Sequence, residues 1–224
     1  MLALLIGSVV AGAVTWVAVG LRAGRIEAVT KPVTMLLLFA WFAWQLAEAG
    51  LFPGVVLLVA LGASLLGDVL LLRPQRRLMA GMGAFLIAQL CYSFAFNAEG
   101  PVVGADGIRV GVGVIALAVA GFALLSRKAR WHKRKWLKGA TVVYTGSLAL
   151  MLWSAAMTMF RPQWPPVASE LVLGGAILFC LSDSVLGVVE FVRPSRKGLV
   201  FVMVTYHLAQ WAIALGYTLR IVPV

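Results

Sequence analysis

With 224 residues, of which 62% are hydrophobic and only 12% charged, the chain has too little polar side chain to clothe a water-soluble domain of its size. Its net charge of +11 does not point to nucleic acid, because the Lys and Arg residues fall in short clusters between apolar runs, as loops of an integral membrane protein do. Cys91 and Cys180 each lie inside an apolar run with no Cys or His at ligand spacing. Neither a zinc site nor a disulfide framework is indicated, and no metal or other cofactor is expected.

A membrane-spanning helix needs about 20 mostly apolar residues. Runs of that kind fall near 2–20, 31–48, 52–72, 79–97, 108–126, 137–158, 167–188 and 200–220. The expectation is an all-α integral membrane protein, a single domain of eight transmembrane helices over residues 1–224. The first run lacks a basic n-region and is followed by Arg22 and Arg25, so it reads as a spanning helix rather than a cleaved leader. Pro and Gly mark the joints at Pro53-Gly54, Arg73-Pro74, Gly100-Pro101, Arg161-Pro162, Pro165-Pro166 and Arg193-Pro194.

Of the 19 Lys and Arg residues, all but Arg109, Arg161 and Arg220 fall at or near the loops after helices 1, 3, 5 and 7. The positive-inside rule places those loops in the cytoplasm and both termini on the other side. The expected location is a bacterial cytoplasmic membrane. The segment "SRKARWHKRKWLKG" is the most basic, and its Trp131 and Trp136 suit the membrane interface. "LLGDVLLLRP" on helix 3 is faintly echoed by "LSDSVLGVVEFVRP" on helix 7, two matches too short to establish a duplication.

Three acids stand inside the apolar runs: Asp68, Asp183 and Glu190. At about 1.5 Å per residue, Asp68 lies roughly 7 Å inward of Arg73 and Asp183 about 15 Å inward of Arg193. An acid facing lipid costs several kcal/mol, so such side chains face the bundle interior or a water-filled cavity. Asp183, Gly187 and Glu190 recur at i, i+4 and i+7, one stripe of a helix expected to point inward. Glu190 is also near enough to Arg193 to be a paired surface charge.

Other polar residues fall at similar depth. Helix 2 opens with "KPVTM", where Pro32 suits a helix start and Lys31 shares a face with Thr34. Helix 4 carries Gln89, Ser93 and Asn97 at i+4 spacings, with Tyr92 beside them. Helix 8 carries "TYHLAQ", with Tyr206, His207 and Gln210 within about one turn. These side chains converge on a cavity open to the cytoplasm. Each has a plainer role as interhelical glue, a packed histidine or a structural ion pair.

"KPVTMLLL", "LGDVLLL", "YSFAF", "LSDSVLG" and "TYHLAQ", in that order along nearly the whole chain, resemble the YhhN-type lysoplasmalogenase family of polytopic membrane proteins. The resemblance implies an eight-helix bundle that hydrolyses the vinyl-ether bond of lysoplasmalogens to a fatty aldehyde and a glycerophospho-alcohol. It implies that Asp68 and Asp183 are the catalytic pair, and that the partners are a lysophospholipid substrate and membrane lipids. The chain departs from the family pattern at Gln89, where a histidine is expected, and at His207, where a second tyrosine is more usual.

The chemistry suits those residues. Enol-ether hydrolysis begins with protonation of the β-carbon and continues with attack of water on an oxocarbenium ion. It therefore needs one carboxyl with its proton on and one with its proton off. Asp183 is assigned as general acid and Asp68 as the carboxylate that steers water. Lys31, at headgroup level, is expected to hold the substrate phosphate as a point charge. Glu190, Tyr92, Tyr206, His207 and Gln210 complete the expected substrate-binding set, the last four orienting the glycerol or the ether oxygen. The rival readings are a small proton-coupled transporter, a hydrolase of another lysolipid, and a scaffold whose polar residues only hold helices together.

Overall fold

A computed structural model describes residues 1–49, 54–72, 74–98, 100, 104–129 and 135–222. Pro53, Arg73, Pro101, Arg130, Trp131, Lys133 and Arg134, named above as joints, loop charges or an interface anchor, lie outside the described residues. The chain forms α1 (Leu2–Leu21), α2 (Gly24–Ala49), α3 (Gly54–Leu71), α4 (Pro74–Phe96), α5 (Ala105–Lys128), α6 (Lys135–Met157), α7 (Pro166–Phe191) and α8 (Arg196–Ile221). A single 3₁₀ turn, Thr158–Phe160, follows α6. Each of the eight α-helices contains a stretch long and apolar enough to cross a membrane.

Most helices run several residues beyond the apolar windows that mark them in the sequence. Hydropathy sees only the part immersed in hydrocarbon, whereas a helix continues into the polar interface. The difference is largest at α2, which starts at Gly24 rather than at Lys31. Pro32 is thus eight residues inside the helix, not at its start. The helix-start position is instead held by Pro74 in α4 and Pro166 in α7. α1 passes to α2 through Arg22 and Ala23 alone. The turn is made by Arg22 in the left-handed conformation (φ 60°, ψ 30°), and the Ala23 N–H closes on the Ala18 carbonyl at 2.9 Å.

Sequential helices pack as hairpins, α1 with α2, α3 with α4, α5 with α6 and α7 with α8. α8 is central and touches α1, α2, α3 and α7. α7 and α8 approach most closely through glycines. A methyl group on Gly175 would stand 2.9 Å from the Ala209 carbonyl oxygen, and one on Gly216 would stand 2.7 Å from that of Ala168. Small residues at such crossings let backbones pack where lipid offers no hydrophobic drive to associate. α5 packs on the edge of the bundle and, among its described residues, buries only Gly107 and Val114. Its remaining apolar surface is what a lipid-facing helix presents.

Candidate active site

Asp68 sits at the second position of "GD" in α3 and is 1% exposed. Gly67 beside it makes room for the Phe85 ring of α4, which lies where a side chain would otherwise stand. Phe85 meets the Tyr206 ring edge-on at 5.7 Å. Tyr206 in turn donates its hydroxyl hydrogen to Asp68 Oδ2 at 2.9 Å. The second oxygen of Asp68 lies 3.2 Å from the ammonium of Lys31, itself 5% exposed. The sequence places Lys31 at headgroup level. In the structure it lies about 10 Å along α2 from Gly24 and is engaged by the carboxylate. The reason is the extra length of α2, which carries Lys31 inward.

Asp183 of α7 has different company. Its Oδ2 accepts a hydrogen bond from Gln89 Nε2 at 3.1 Å and another from the Tyr144 hydroxyl. Behind them the Ser147 hydroxyl bonds Gln89 Oε1 and also lies 2.8 Å from the Tyr144 carbonyl oxygen. Oδ1 of Asp183 makes no hydrogen bond among the described residues, and every group that donates to this carboxyl is neutral.

Asp68 and Asp183 line one cavity of about 70 Å³, together with Glu27, Lys31, Glu190 and Tyr206. Leu71, Leu78, Phe85, Leu186 and Met203 supply its apolar wall. With Val19 of α1, these residues come from the halves of α1, α2, α3, α4, α7 and α8 that adjoin the basic loops. Its volume corresponds to roughly two waters at liquid density, space for a reacting bond rather than for a whole lipid. A larger groove of about 500 Å³ between α5 and α6 is lined by apolar and small side chains, with Thr145 and Trp153, and holds no carboxylate. Among the described residues, no three His, Cys, Asp or Glu side chains gather as a metal-binding group.

The structure thus brings five of the eight predicted site residues to the cavity: Lys31, Asp68, Asp183, Glu190 and Tyr206. Tyr92, His207 and Gln210 do not line it. Gln210 is one turn beyond Tyr206 on the same face of α8, hence about 6 Å deeper, where its Oε1 accepts from the Tyr92 hydroxyl. His207 follows Tyr206 directly and so points about 100° further round the helix. It turns to α1, where its Nδ1 accepts from Trp16 Nε1 at 3.0 Å and its ring packs against both Trp16 and Trp211, which also touch each other. The inward stripe of α7 also divides. Asp183 and Glu190 line the cavity, while Gly187 faces Leu125 of α5.

The YhhN family model matches residues 26–217, most of the chain and every residue just named except Trp16. The chain belongs to the YhhN family. The membrane protein YhhN of Escherichia coli O157:H7 is 32% identical over 154 residues, covering 67% of this chain and 68% of that protein. Lysoplasmalogenase TMEM86B of Sus scrofa is 32% identical over 157 residues, covering 70% of this chain and 61% of that protein. A lysoplasmalogenase of Mycobacterium bovis is 29% identical over 163 residues, covering 72% of this chain and 59% of that protein. No solved structure matches.

Three cavity or support residues of this YhhN-family protein escape sequence reasoning: Glu27, Tyr144 and Ser147. Glu27 reads as a loop acid because the apolar window of α2 begins after it. Tyr144 and Ser147 carry a recoverable signal, since with Thr141 they fall at i, i+3 and i+6, a polar stripe along one side of an otherwise apolar helix. Gln89, read as a departure from the family pattern, is one of the two residues that donate to Asp183.

Proposed function

We propose that this membrane protein hydrolyses the vinyl-ether bond of lysoplasmalogens, releasing a fatty aldehyde and a glycerophospho-alcohol. The observation that carries the reading is the contrast between the two aspartates of one cavity. Asp68 faces an ammonium, Lys31, which stabilises it as a carboxylate. Asp183 faces only neutral donors, both on one oxygen, which suits a carboxyl that holds its proton on the other. The names of the porcine and mycobacterial relatives support the same chemistry.

In the proposed cycle, Asp183 delivers its proton from Oδ1 to the β-carbon of the enol ether, and the carbon bonded to the ether oxygen becomes an oxocarbenium centre. Asp68, ionised beside it, favours that positive charge and orients a water toward it. The water oxygen bonds to the cationic carbon and gives up one proton to the aspartate pair, which ends the cycle with one shared proton as it began. The resulting hemiacetal collapses to aldehyde and alcohol. Tyr206 holds Asp68 in place, and Glu190 and Glu27 stand at the cavity wall, where the polar part of a lysolipid would pass.

The basic loops support a topology in which the cavity opens to the cytoplasm, with both termini across the membrane, here assigned as a bacterial cytoplasmic membrane. The test is aldehyde release from lysoplasmenylethanolamine by the detergent-purified protein, with the acyl lysolipid and an Asp183→Asn variant in parallel. Aldehyde from the wild type and the alkenyl lipid alone is the expected result. A folded wild type that releases none overturns the reading.

A further inference from the structure

The carboxyl of Asp183 is held from behind by two helices, α4 and α6, and only α4 contributes any atom to the cavity. Resting on the vinyl-ether reading above, we infer that Tyr144 is a positioning residue for Asp183, acting with Gln89 and Ser147 to decide which carboxyl oxygen carries the transferable proton.

The argument is one of donors and acceptors. Tyr144 and Gln89 both present hydrogens to Oδ2. A proton bound to that same oxygen would displace at least one of them and leave a buried donor unpaired, so the acidic proton belongs on Oδ1. Oδ1 is the oxygen that no described side chain engages. Ser147 keeps Gln89 in the required sense, because its hydroxyl bonds Oε1 and leaves the amide NH₂ for the carboxyl. Once the proton has moved to carbon, the new negative charge on Asp183 meets two donors already aligned on Oδ2. Neither Tyr144, Gln89 nor Ser147 lines the cavity, so none touches the substrate. Their influence passes through Asp183 alone.

This separates a positioning role from a merely structural one. The experiment measures kcat and KM for aldehyde release by the full chain in detergent, as wild type, Tyr144→Phe, Gln89→Met, Asp183→Asn and the double variant Tyr144→Phe/Asp183→Asn. Tyr144→Phe is expected to lower kcat about 10- to 100-fold, the usual cost of losing a partner one shell out, with KM moved by less than about twofold. In the Asp183→Asn background the same substitution is expected to cost nothing further, because the group it positions is gone. Wild-type kcat in Tyr144→Phe, or an equal additional loss in both backgrounds, overturns the inference. If Tyr144→Phe does not fold, Gln89→Met carries the same expectations and the same refutations. Failure of the underlying reading looks different. It would show as no aldehyde from the wild type, or as full turnover in Asp183→Asn, and either result would remove the inference with it.

Discussion

The ammonium of Lys31 stands 3.2 Å from Oδ1 of Asp68, and both side chains are sealed inside the bundle. Removing one member of a buried pair strands the other, at a cost of about 3–5 kcal/mol. Lys31→Met is therefore expected to lower the thermal unfolding midpoint strongly in detergent and to lower kcat, rather than simply raising KM as loss of a phosphate clamp would. Lys31→Met combined with Asp68→Asn should recover much of the stability and none of the turnover. Calorimetry beside steady-state kinetics checks both, and a stable Lys31→Met protein altered only in KM would restore the phosphate-clamp role.

The two aspartates should respond differently to amidation. Asp183→Asn keeps acceptor capacity toward Tyr144 and Gln89 but has no proton to give, so it should stay folded and lose at least about 100-fold in kcat, as removal of a general acid does. Asp68→Asn leaves the Lys31 ammonium buried without its counter-charge, and is expected to lose turnover and stability together. Unfolding midpoints of the two variants, compared in the same detergent, test the distinction. Equal midpoints would refute the asymmetric electrostatics assigned to the pair.

The helix count and the two aspartates were legible because each rests on a one-dimensional signal: apolar runs of spanning length, and acids inside them. Lys31 shows where that kind of signal fails. The apolar window of helix 2 begins at Lys31 and so suggests a helix end, while the backbone has already been helical since Gly24. Tyr206 and His207 show a second limit. They are neighbours in sequence, and which of them faces the cavity depends on how α8 is rotated against α1 and α3, a property of packing that no short motif records. Tyr144 was missed for the same reason, since α6 reaches Asp183 only through the bundle interior.

His207 lies outside the cavity, its Nδ1 occupied by Trp16 and its ring packed against two indoles. A proton carrier needs a free lone pair facing the reaction, and this ring offers none there. His207→Phe should keep kcat within about tenfold of the wild type and lose about 1 kcal/mol of stability with the Trp16 hydrogen bond. Kinetics and thermal unfolding of this one variant decide it, and a hundredfold fall in kcat without unfolding would return His207 to the substrate-orienting set expected from the sequence.

Two adjacent glycines of α7 give opposite predictions. A methyl group at Gly175 would meet the Ala209 carbonyl oxygen at 2.9 Å and the Ile213 amide nitrogen at 3.1 Å, both backbone atoms of α8 that cannot turn aside. A methyl group at Gly174 would meet nothing within 4 Å. Gly175→Ala should cost about 1–3 kcal/mol through overpacking. It should also reduce kcat, because pushing α7 from α8 separates Asp183 from the Asp68 and Tyr206 wall of the cavity, and shifts near 1 Å can cost about 100-fold. Gly174→Ala should leave kcat unchanged and raise stability by up to about 1 kcal/mol, since a glycine inside a helix is replaced without a clash. Thermal unfolding and turnover of the two variants, measured side by side, put the α7–α8 contact to the test. Equal behaviour of the pair would show that this crossing does not set the geometry of the cavity.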